Sequence, residues 1–323
     1  MRTPPFLLSF SSLEEYLRAL SDSDRAEKGS EINNLVAQQL PPVVSKKCLA
    51  TLFGFSNSFI DTLHRRTERY YRIFEIPKGK KKRIIQAPRV ALKVIQKWFA
   101  HYLANSLNLH EAVFGFVKGR SAVQGAALHC GAHWIYSVDI EDFFPTTSID
   151  KVISSLTNLG YGYPGAALIA KLCCYEGNLA QGSPASPVLS NLVFREIDEE
   201  LFTLSKQNGI CYTRYADDIV FSGINSFPDH IREEVISIIQ ARGWKLSIKK
   251  IHLAKRPYRL KVYGLLIHGE RPRLTKGYRN RIRAFKHLFA DGKIPEDEIS
   301  KIRGHLSYAH SIEEFEMMPK DDL

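Results

Sequence analysis

The chain has few cysteines and no long apolar run. An odd number of cysteines without a Cys-x-x-Cys pair argues against both a disulfide framework and a zinc site; they are Cys48, Cys130, Cys173, Cys174 and Cys211. This usage predicts a reducing compartment, and the adjacent Cys173 and Cys174 are interpreted as small core residues. No stretch reaches the length of a membrane helix, and the N-terminus lacks a signal-peptide pattern. We therefore expect a cytoplasmic protein without a membrane partner.

Acidic residues are scarce in one long segment. The whole chain has a formal net charge of +11, and between Gly243 and His287 it contains 14 Lys or Arg residues against one acid, Glu270. Such one-sided charge repels itself unless it meets a polyanion such as nucleic acid. Four aromatic residues in the segment offer rings for base stacking: Tyr258, Tyr263, Tyr278 and Phe285. We interpret the segment as a nucleic-acid-binding surface; a solvated basic face with aromatic core residues is the alternative.

Two adjacent carboxylates, Asp217 and Asp218, interrupt an apolar, β-prone stretch. The residues from Tyr212 to Gly223 read as a strand, a tight turn and a second strand. Two like charges side by side cost free energy unless a cation lies nearby, and carboxylate oxygens are ligands that Mg²⁺ prefers. The pair is therefore a candidate metal site, with a solvated acidic turn as the alternative.

A third carboxylate, Asp139, follows another strand-like run and precedes Pro145, which ends the strand. Two strands can bring Asp139 and Asp217 to one edge of a sheet. This is the arrangement of two-metal sites, in which ions about 3.5–4 Å apart activate the attacking hydroxyl and stabilise the leaving group. Glu141 and Asp142 also lie close in sequence, but strand alternation cannot aim all of these side chains at one ion. We interpret them as a helper or surface pair.

The remaining sequence predicts an α+β fold. Helices are expected within residues 11–65, except for a loop at 21–30, and a β-hairpin with a basic turn at 70–88. Further helices are expected at 89–108, 148–159, 186–206, 228–242, 275–291 and 296–310. Short strands should follow residue 243, with 262–267 as one of them. We divide the chain into a helical extension (1–65), a central region (66–242) and a basic C-terminal region (243–323).

Five blocks of the chain, in order, resemble reverse transcriptases, and among these the bacterial retron class. They lie within residues 76–96, 115–121, 139–145, 181–191 (beginning Gln-Gly-Ser-Pro) and 215–218 (Tyr-Ala-Asp-Asp). The resemblance extends from about Phe74 to about Ala290. It implies a right-hand polymerase, with fingers and an antiparallel palm sheet at 66–242 and a small basic helical thumb from residue 243. The implied activity is that of an RNA-directed DNA polymerase, a nucleotidyltransferase.

Two elements depart from the retron pattern. Retron enzymes typically carry Asn-Ala-x-x-His before the first catalytic Asp, where this chain has Gly125 in place of the Asn and keeps Ala126 and His129. They also tend to carry Val-Thr-Gly, where this chain has Val262-Tyr263-Gly264. The resemblance associates both elements with recognition of the cognate RNA, so a divergent retron or a retron-like defence enzyme is a further interpretation. A helix-surface histidine is the alternative for His129.

The resemblance also implies roles for single residues. Asp139, Asp217 and Asp218 are the catalytic and metal-binding carboxylates, joined by the backbone carbonyl of Ile140, and they hold two Mg²⁺ ions, for which Mn²⁺ can substitute. The incoming nucleotide is contacted by Arg83, Phe144, Gln181, Gly182 and Lys250.

Within this nucleotide pocket, the Arg83 guanidinium grips the triphosphate because it can bind two oxygens at once. Phe144 lies under the sugar and excludes a ribose 2′-hydroxyl; a place in the core is the alternative. Lys250 approaches the pyrophosphate, a role that Lys249 would fill equally. The basic turn either shares contact with the triphosphate or touches the template, with an exposed charged turn as the alternative; its lysines are Lys78, Lys80, Lys81 and Lys82.

Nucleic acid is expected along the C-terminal region, and residues 262–266 are expected to grip the primer end. The nucleic-acid contacts expected there are Lys255, Arg256, Tyr263, Gly264, Lys276, Arg279, Arg281 and Arg283.

The resemblance further implies substrates and partners. The enzyme would use dNTPs to copy a structured noncoding RNA encoded alongside it. The product would be msDNA, a single-stranded DNA joined to RNA through a 2′–5′ branch, serving antiphage defence with an effector protein encoded nearby. Because no length remains for an RNase H domain, a host RNase H would remove the RNA. The acidic tail from Glu313 to Asp322 is a candidate effector contact, with a solubilising end as the alternative.

Two other functions stay open. One is a different defence or intron-derived reverse transcriptase without branched priming. The other is a nucleoprotein scaffold or antitoxin that restrains a toxic effector. The intact carboxylates argue against a purely non-catalytic scaffold but leave a dual role open.

Overall fold

The computed structural model describes residues 5–79, 81–292 and 294–317, without the side chains of Lys78, Lys81, Glu316 and Met317. Lys80 of the basic turn and the end of the acidic tail, with Asp321 and Asp322, lie outside the described residues. The helices in the described part are α1 (Leu13–Ala19), α2 (Asp22–Ala37), α3 (Lys46–Phe53), α4 (Asn57–Arg65), α5 (Val90–Ser106), α6 (Ala122–Ala127), α7 (Phe143–Thr146), α8 (Ile149–Leu159), α9 (Tyr163–Cys173), α10 (Ser186–Gln207), α11 (His230–Ala241), α12 (Lys276–Ala290) and α13 (Glu296–Met317).

The strands of the described part are short and pair in an antiparallel manner. They are β1 (Tyr71–Lys78), β2 (Lys81–Pro88), β3 (Trp134–Asp139), β4 (Cys174–Tyr175), β5 (Asn178–Leu179), β6 (Cys211–Tyr215), β7 (Asp218–Gly223), β8 (His252–Lys255), β9 (Lys261–Val262) and β10 (Leu265–Leu266). The mixture of helices and antiparallel sheets confirms the α+β class. No described helix is long and apolar enough to cross a membrane.

Most predicted elements are present. The β1–β2 hairpin occupies the predicted span, and α5, α8, α10, α11 and α12 lie where helices were expected. Helix α13 continues beyond the predicted end to Met317. Helix α9 was not predicted. Most of its residues are buried, so its sequence lacks the alternation of apolar and polar faces that identifies a surface helix.

The prediction of a loop at residues 21–30 is wrong, because Ser21 caps α2 and the residues after it lie in that helix. The Ser21 side chain accepts a hydrogen bond from the backbone N–H of Asp24. The acidic residues in the first turn interact favourably with the positive end of the helix dipole and so stabilise the helix. Ile32 and Leu35, further along α2, are buried. The helix therefore forms because its N-terminus is capped and its second half packs on the core, although its first turns are polar.

The single strand predicted at residues 262–267 is also wrong. The chain makes a tight hairpin here, with β9 and β10 joined by Tyr263 and Gly264. Both joining residues have left-handed backbone angles, with φ of 50° and 82°. This is the turn geometry that matches strand twist in a two-residue hairpin. A tyrosine at such a position gives no turn signal in the sequence.

The chain folds into two compact units. The first contains residues up to His110 together with 142–196. Its core is formed by α1–α5, α8, α9 and the beginning of α10, and Cys173 and Cys174 are buried in it, as expected. The buried Gln96 amide donates to Tyr71 and to the Leu172 carbonyl at 2.8 and 2.6 Å, and it accepts from Ser183 at 2.8 Å. The polar atoms of Gln96 are thus all paired inside an apolar core.

The second unit contains residues 111–141 and those from Ile197 onward. Its centre is a four-stranded sheet in the order β6-β7-β3-β8. A cluster of apolar residues from α6, β9, β10, α12 and α13 packs with residues of this sheet. The division of the chain at residues 65 and 242 remains a prediction.

Candidate active site

The second unit carries a tight hairpin between two central strands. Tyr215 pairs with Asp218, so the turn consists of Ala216 and Asp217 alone. Ala216 has a left-handed backbone with φ of 57°, a conformation that costs a non-glycine residue about 1–2 kcal/mol. Gly115 supports this turn from outside, because a Cβ at Gly115 would lie 2.3 Å from the Ala216 nitrogen. Only glycine lets the two backbones approach so closely.

Three carboxylates meet at the end of the sheet. Asp139, the last residue of β3, pairs directly with Asp218, the first residue of β7. The backbone N–H of Ile140 donates to the Asp217 carbonyl at 3.2 Å, which ties the turn to β3. Partial desolvation, followed by the negative charges of Asp217 and Asp139, raises the pKa of Asp218 to about 6. The structure therefore places the three predicted aspartates, and Ile140, together.

Lys250 reaches this carboxylate cluster from the segment between α11 and β8. The Lys250 ammonium lies 2.6 Å from Oδ2 of Asp139, whose side chain is only 7% exposed, while that of Lys250 is 52% exposed. Backbone contacts position Lys250 near Asp139. The backbone N–H of Ser247 donates to the Asp139 carbonyl at 2.8 Å, and Lys250 lies in the short 3₁₀ turn that follows Ser247. Of the two lysines considered, Lys250 is thus the one that pairs with Asp139 here.

The donor atoms suit a divalent cation. Among the described residues, no three His, Cys, Asp or Glu side chains are arranged to hold one ion. Asp139 pairs with Lys250, and Asp218 lies beside the negative charges of Asp217 and Asp139. Hard carboxylate oxygens gathered in this way fit Mg²⁺ or Mn²⁺ chemistry.

A buried ion pair that the sequence did not predict holds strand β6, which precedes the Ala216–Asp217 turn. Arg214, on β6, donates from Nε and Nη2 to the two oxygens of Asp198 at 2.7 and 2.6 Å, and both side chains are almost fully buried. The Tyr212 hydroxyl donates to the same carboxylate at 2.6 Å. Arg214 also donates from Nη1 to the Ala216 carbonyl at 3.0 Å. The sequence signal for this pair was an arginine inside an apolar strand, because a buried charge requires a partner of opposite charge.

His129 is buried, so the alternative of a surface histidine is wrong. Its Nδ1 lies 2.7 Å from Ser222 Oγ and its Nε2 lies 2.7 Å from Thr213 Oγ1. Burial lowers the pKa of His129 to about 3, so the ring is neutral. The Thr213 hydroxyl lies 2.6 Å from the Tyr263 hydroxyl. Four residues are thus linked in one hydrogen-bonded chain: His129 and Tyr263 from the two departing elements, and Thr213 and Ser222 from the β6–β7 hairpin.

Four predicted nucleotide-binding residues lie in the first unit. The loop at Gln181 docks on β2, because Gln86 donates to the Gln181 carbonyl at 2.9 Å and accepts from the Gln181 N–H at 2.6 Å. Gly182 has φ of 137°, and a Cβ there would lie 2.8 Å from the Gln86 carbonyl. Arg83 lies on β2. Phe144 stacks on Phe143 and also borders the apolar core of this unit.

The predicted nucleic-acid contacts lie in the second unit. Lys255 is exposed at the end of β8, and Arg256 donates to the Gly131 carbonyl. Gly264 is exposed, whereas Tyr263 is largely buried. The four predicted contacts on α12 are exposed, while Ile282 on the same helix is buried; they are Lys276, Arg279, Arg281 and Arg283. Tyr278 and Phe285 contact His305, in agreement with the alternative that these aromatic residues belong to the core.

Comparison with known proteins agrees with this site. Residues 76–267 match the family model for reverse transcriptase (RNA-dependent DNA polymerase). The retron Ec86 reverse transcriptase of Escherichia coli is 34% identical over 248 residues, which cover 75% of this chain and 77% of that protein. The retron Mx65 reverse transcriptase of Myxococcus xanthus is 32% identical over 269 residues, covering 76% and 63% of the two chains.

Solved structures of telomerase are also similar. Telomerase from Candida albicans in complex with a TWJ fragment of telomeric RNA gives a TM-score of 0.45 at 11% identity and covers 68% of this chain and 50% of that one. Apo telomerase from Candida tropicalis, truncated from the C-terminal domain, gives 0.44 at 12% identity, covering 66% and 59%.

The family match and the retron relatives define an RNA-directed DNA polymerase. The chain belongs to the reverse transcriptase family, within which its relatives place it among the bacterial retron reverse transcriptases. The resemblance inferred from the five sequence blocks is thereby confirmed. Dependence on a divalent metal comes with this family.

Proposed function

We propose that the enzyme copies a cognate structured RNA into single-stranded DNA that remains joined to RNA through a 2′–5′ branch. The observation that carries the polymerase chemistry is the pairing of Asp139 with Asp218, with Asp217 in the adjoining turn. Similarity to retron reverse transcriptases, at 34% and 32% identity over three quarters of the chain, supports the RNA template. The branched product is what the resemblance to the retron class implies.

In this proposal Asp139, Asp217, Asp218 and the carbonyl of Ile140 would hold two Mg²⁺ ions. The chemistry that such ions would supply is a lower pKa for the attacking hydroxyl and neutralisation of the leaving pyrophosphate. The chain itself fixes the carboxylates through the β3–β7 pairing. Lys250, which neutralises Asp139 in the described structure, is then available to the pyrophosphate.

The residues of the first unit bind the nucleotide. Arg83 grips the triphosphate, while Gln181 and Gly182 line the pocket with a loop anchored on β2. The proposed partners are dNTPs, the cognate RNA and its DNA product, an effector protein encoded nearby that acts with the complex in antiphage defence, and a host RNase H. Five free cysteines support a reducing cytoplasm as the setting.

The proposal is tested by purifying the protein from cells that carry its native locus and analysing the nucleic acid bound to it. Treatment with DNase, RNase and a debranching enzyme should reveal a discrete DNA joined to RNA by a debranchable link. Protein with Asp217→Asn, expressed from the same locus, is the matched control and should carry RNA without DNA. Unbranched DNA in the wild-type preparation would rule out branched priming while leaving the polymerase intact.

Removing the Phe144 ring is expected to admit ribonucleotides. If this ring lies under the sugar, Phe144→Ala opens space for the 2′-hydroxyl, and the preference for dNTPs over NTPs should fall by about 10–200-fold, the range for a small volume change in a binding pocket. Single-nucleotide incorporation with matched dNTP and NTP measures the ratio. Unchanged selectivity together with a lower unfolding midpoint would instead assign Phe144 to the core that it borders.

Neutralising the exposed arginines of α12 is expected to weaken RNA binding and flatten its salt dependence. With Arg279, Arg281 and Arg283 all changed to Gln, the slope of log K against log salt should fall by up to about 2 units, at about 0.7 per single-strand phosphate contact. The control changes three cations that face acidic residues in the N-terminal helices: Arg18, Arg25 and Lys47. Equal slopes for the two variants would mean that α12 faces solvent.

A further inference from the structure

Gly125 and Tyr263, the two positions at which the chain departs from the retron pattern, are in contact. A Cβ at Gly125 would lie 3.0 Å from Cε2 of Tyr263 and 3.0 Å from Cγ of Phe114. Both distances are shorter than ordinary carbon–carbon contacts of about 3.5–4.0 Å. Any side chain at position 125 must therefore displace one of the two rings, and the glycine leaves the space that the Tyr263 ring fills.

Tyr263 adopts its left-handed backbone at the tip of the β9–β10 hairpin, where a glycine would be strain-free. Non-glycine residues persist in this region when surrounding contacts hold them there. Here the ring packs on Gly125 and lies 5.5 Å from the ring of Tyr215, while the hydroxyl lies 2.6 Å from Thr213 Oγ1. Tyr215 directly precedes the catalytic turn, so these contacts join the β9–β10 tip to the catalytic strand β6.

The hydrogen-bonded chain continues to the other strand of the hairpin. Because His129 is neutral, a consistent assignment has Tyr263 donating to Thr213, Thr213 donating to Nε2 of His129, and Nδ1–H of His129 donating to Ser222. Thr213 lies on β6 and Ser222 lies on β7. Each buried hydroxyl between Tyr263 and Ser222 thus has a partner, and the chain fastens both strands of the hairpin that presents Asp217 and Asp218.

We propose that Tyr263 is a positioning residue: through its ring on Tyr215 and its hydroxyl on Thr213 it fixes the β6–β7 hairpin, and Gly125 is a glycine because this ring occupies the space of a side chain. The proposal rests on the assignment of Asp217 and Asp218 as catalytic residues. It requires neither branched priming nor a particular RNA. Tyr263 therefore acts through the hairpin, and its loss should impair the chemical step rather than nucleotide binding.

The first test is Tyr263→Phe, which keeps the ring and removes the hydroxyl. Single-nucleotide extension of an ordinary primer on an RNA template should show kcat lowered about tenfold or more, since small displacements of catalytic groups have effects of this size, with KM for dNTP nearly unchanged. Tyr163→Phe, which removes an exposed tyrosine hydroxyl, should match the wild type. Full kcat in Tyr263→Phe would refute the role of the hydroxyl, as would a lower unfolding midpoint without any change in kcat.

The second test is a double-mutant cycle. Gly125→Ala should lower kcat more when Tyr263 is present than in the Tyr263→Ala background, because one of the two rings that the new side chain would displace is then gone and Phe114 remains. Gly304→Ala, on α13 with no atom within 4 Å of the added Cβ, controls for placing alanine in a helix. Additive effects of Gly125→Ala and Tyr263→Ala would overturn the pairing.

These assays use a generic primer and template, so their outcome is separate from that of the debranching experiment. Loss of kcat in Tyr263→Phe, in an enzyme that makes no branched DNA, would support the positioning role and contradict only the retron product. Inactivity that persists in the wild-type protein, on every template, would contradict the polymerase site itself.

Discussion

Replacing Asp217 by Asn is expected to abolish DNA synthesis while RNA binding is retained. The change removes one negative charge from the carboxylate cluster with almost no change in volume, and the amide is a poor ligand for a hard divalent cation. A fall in kcat of at least about 10³-fold, equivalent to about 4 kcal/mol of transition-state stabilisation, is expected. Primer extension measures the rate, and filter binding of RNA measures the retained affinity.

The matched control for this substitution is Asp229→Asn, an exposed aspartate that makes no side-chain cap bond at the start of α11. It should leave both rate and binding unchanged. Substantial synthesis by Asp217→Asn would show that the carboxylate of Asp217 is not a ligand.

Asp217→Asn should also stabilise the protein without metal. The pKa of Asp218 is raised to about 6, above its value of about 3.9 in an unfolded chain, so its ionisation opposes folding increasingly as pH rises from about 4 to 6 and fully above pH 6. Removing the Asp217 charge lowers this pKa. The unfolding midpoint of the variant should therefore exceed that of the wild type at pH 7.5, and the two should converge near pH 4.

The second large effect is expected at the buried pair of Arg214 and Asp198. Changing Arg214 to Met leaves the Asp198 carboxylate buried without a cation, and such losses cost about 3–5 kcal/mol of unfolding free energy. Synthesis should fall as well, because the hydrogen bond from Arg214 to the Ala216 carbonyl is lost. Denaturant unfolding followed by circular dichroism gives the free energy, and primer extension gives the rate.

A surface pair on the same helix provides the comparison. Glu200, two residues along α10 from Asp198, pairs with Arg242, and both side chains are about 40% exposed. Arg242→Met should cost less than about 1 kcal/mol. Adding Asp198→Asn to Arg214→Met should recover much of the lost stability, since no buried charge then remains. A loss below 1 kcal/mol for Arg214→Met would mean that water reaches the pair.

The sequence was sufficient for features encoded locally. The Asp217 hairpin, the Asp139 strand and most helices follow from apolar periodicity and turn signals, and the ordered blocks gave the family. The partners of Arg214 and His129 could not be predicted, because they come from separate strands and helices and obey no spacing rule. Helix α2 was mispredicted because its polar first turns suggested a loop, whereas its second half packs on the core. The Tyr263 turn was mispredicted because tyrosine is a poor turn residue, and contacts with other parts of the fold hold it there.

The placement of the carboxylates in a strand ladder, rather than in loops, constrains the length of the chain. Asp139 faces Asp218 only in one register, and strand side chains alternate with a period of two. A single inserted or deleted residue within β3 or β7 would turn one carboxylate to the opposite face of the sheet. Natural or engineered variants should therefore lose all activity when an insertion or deletion falls in either strand.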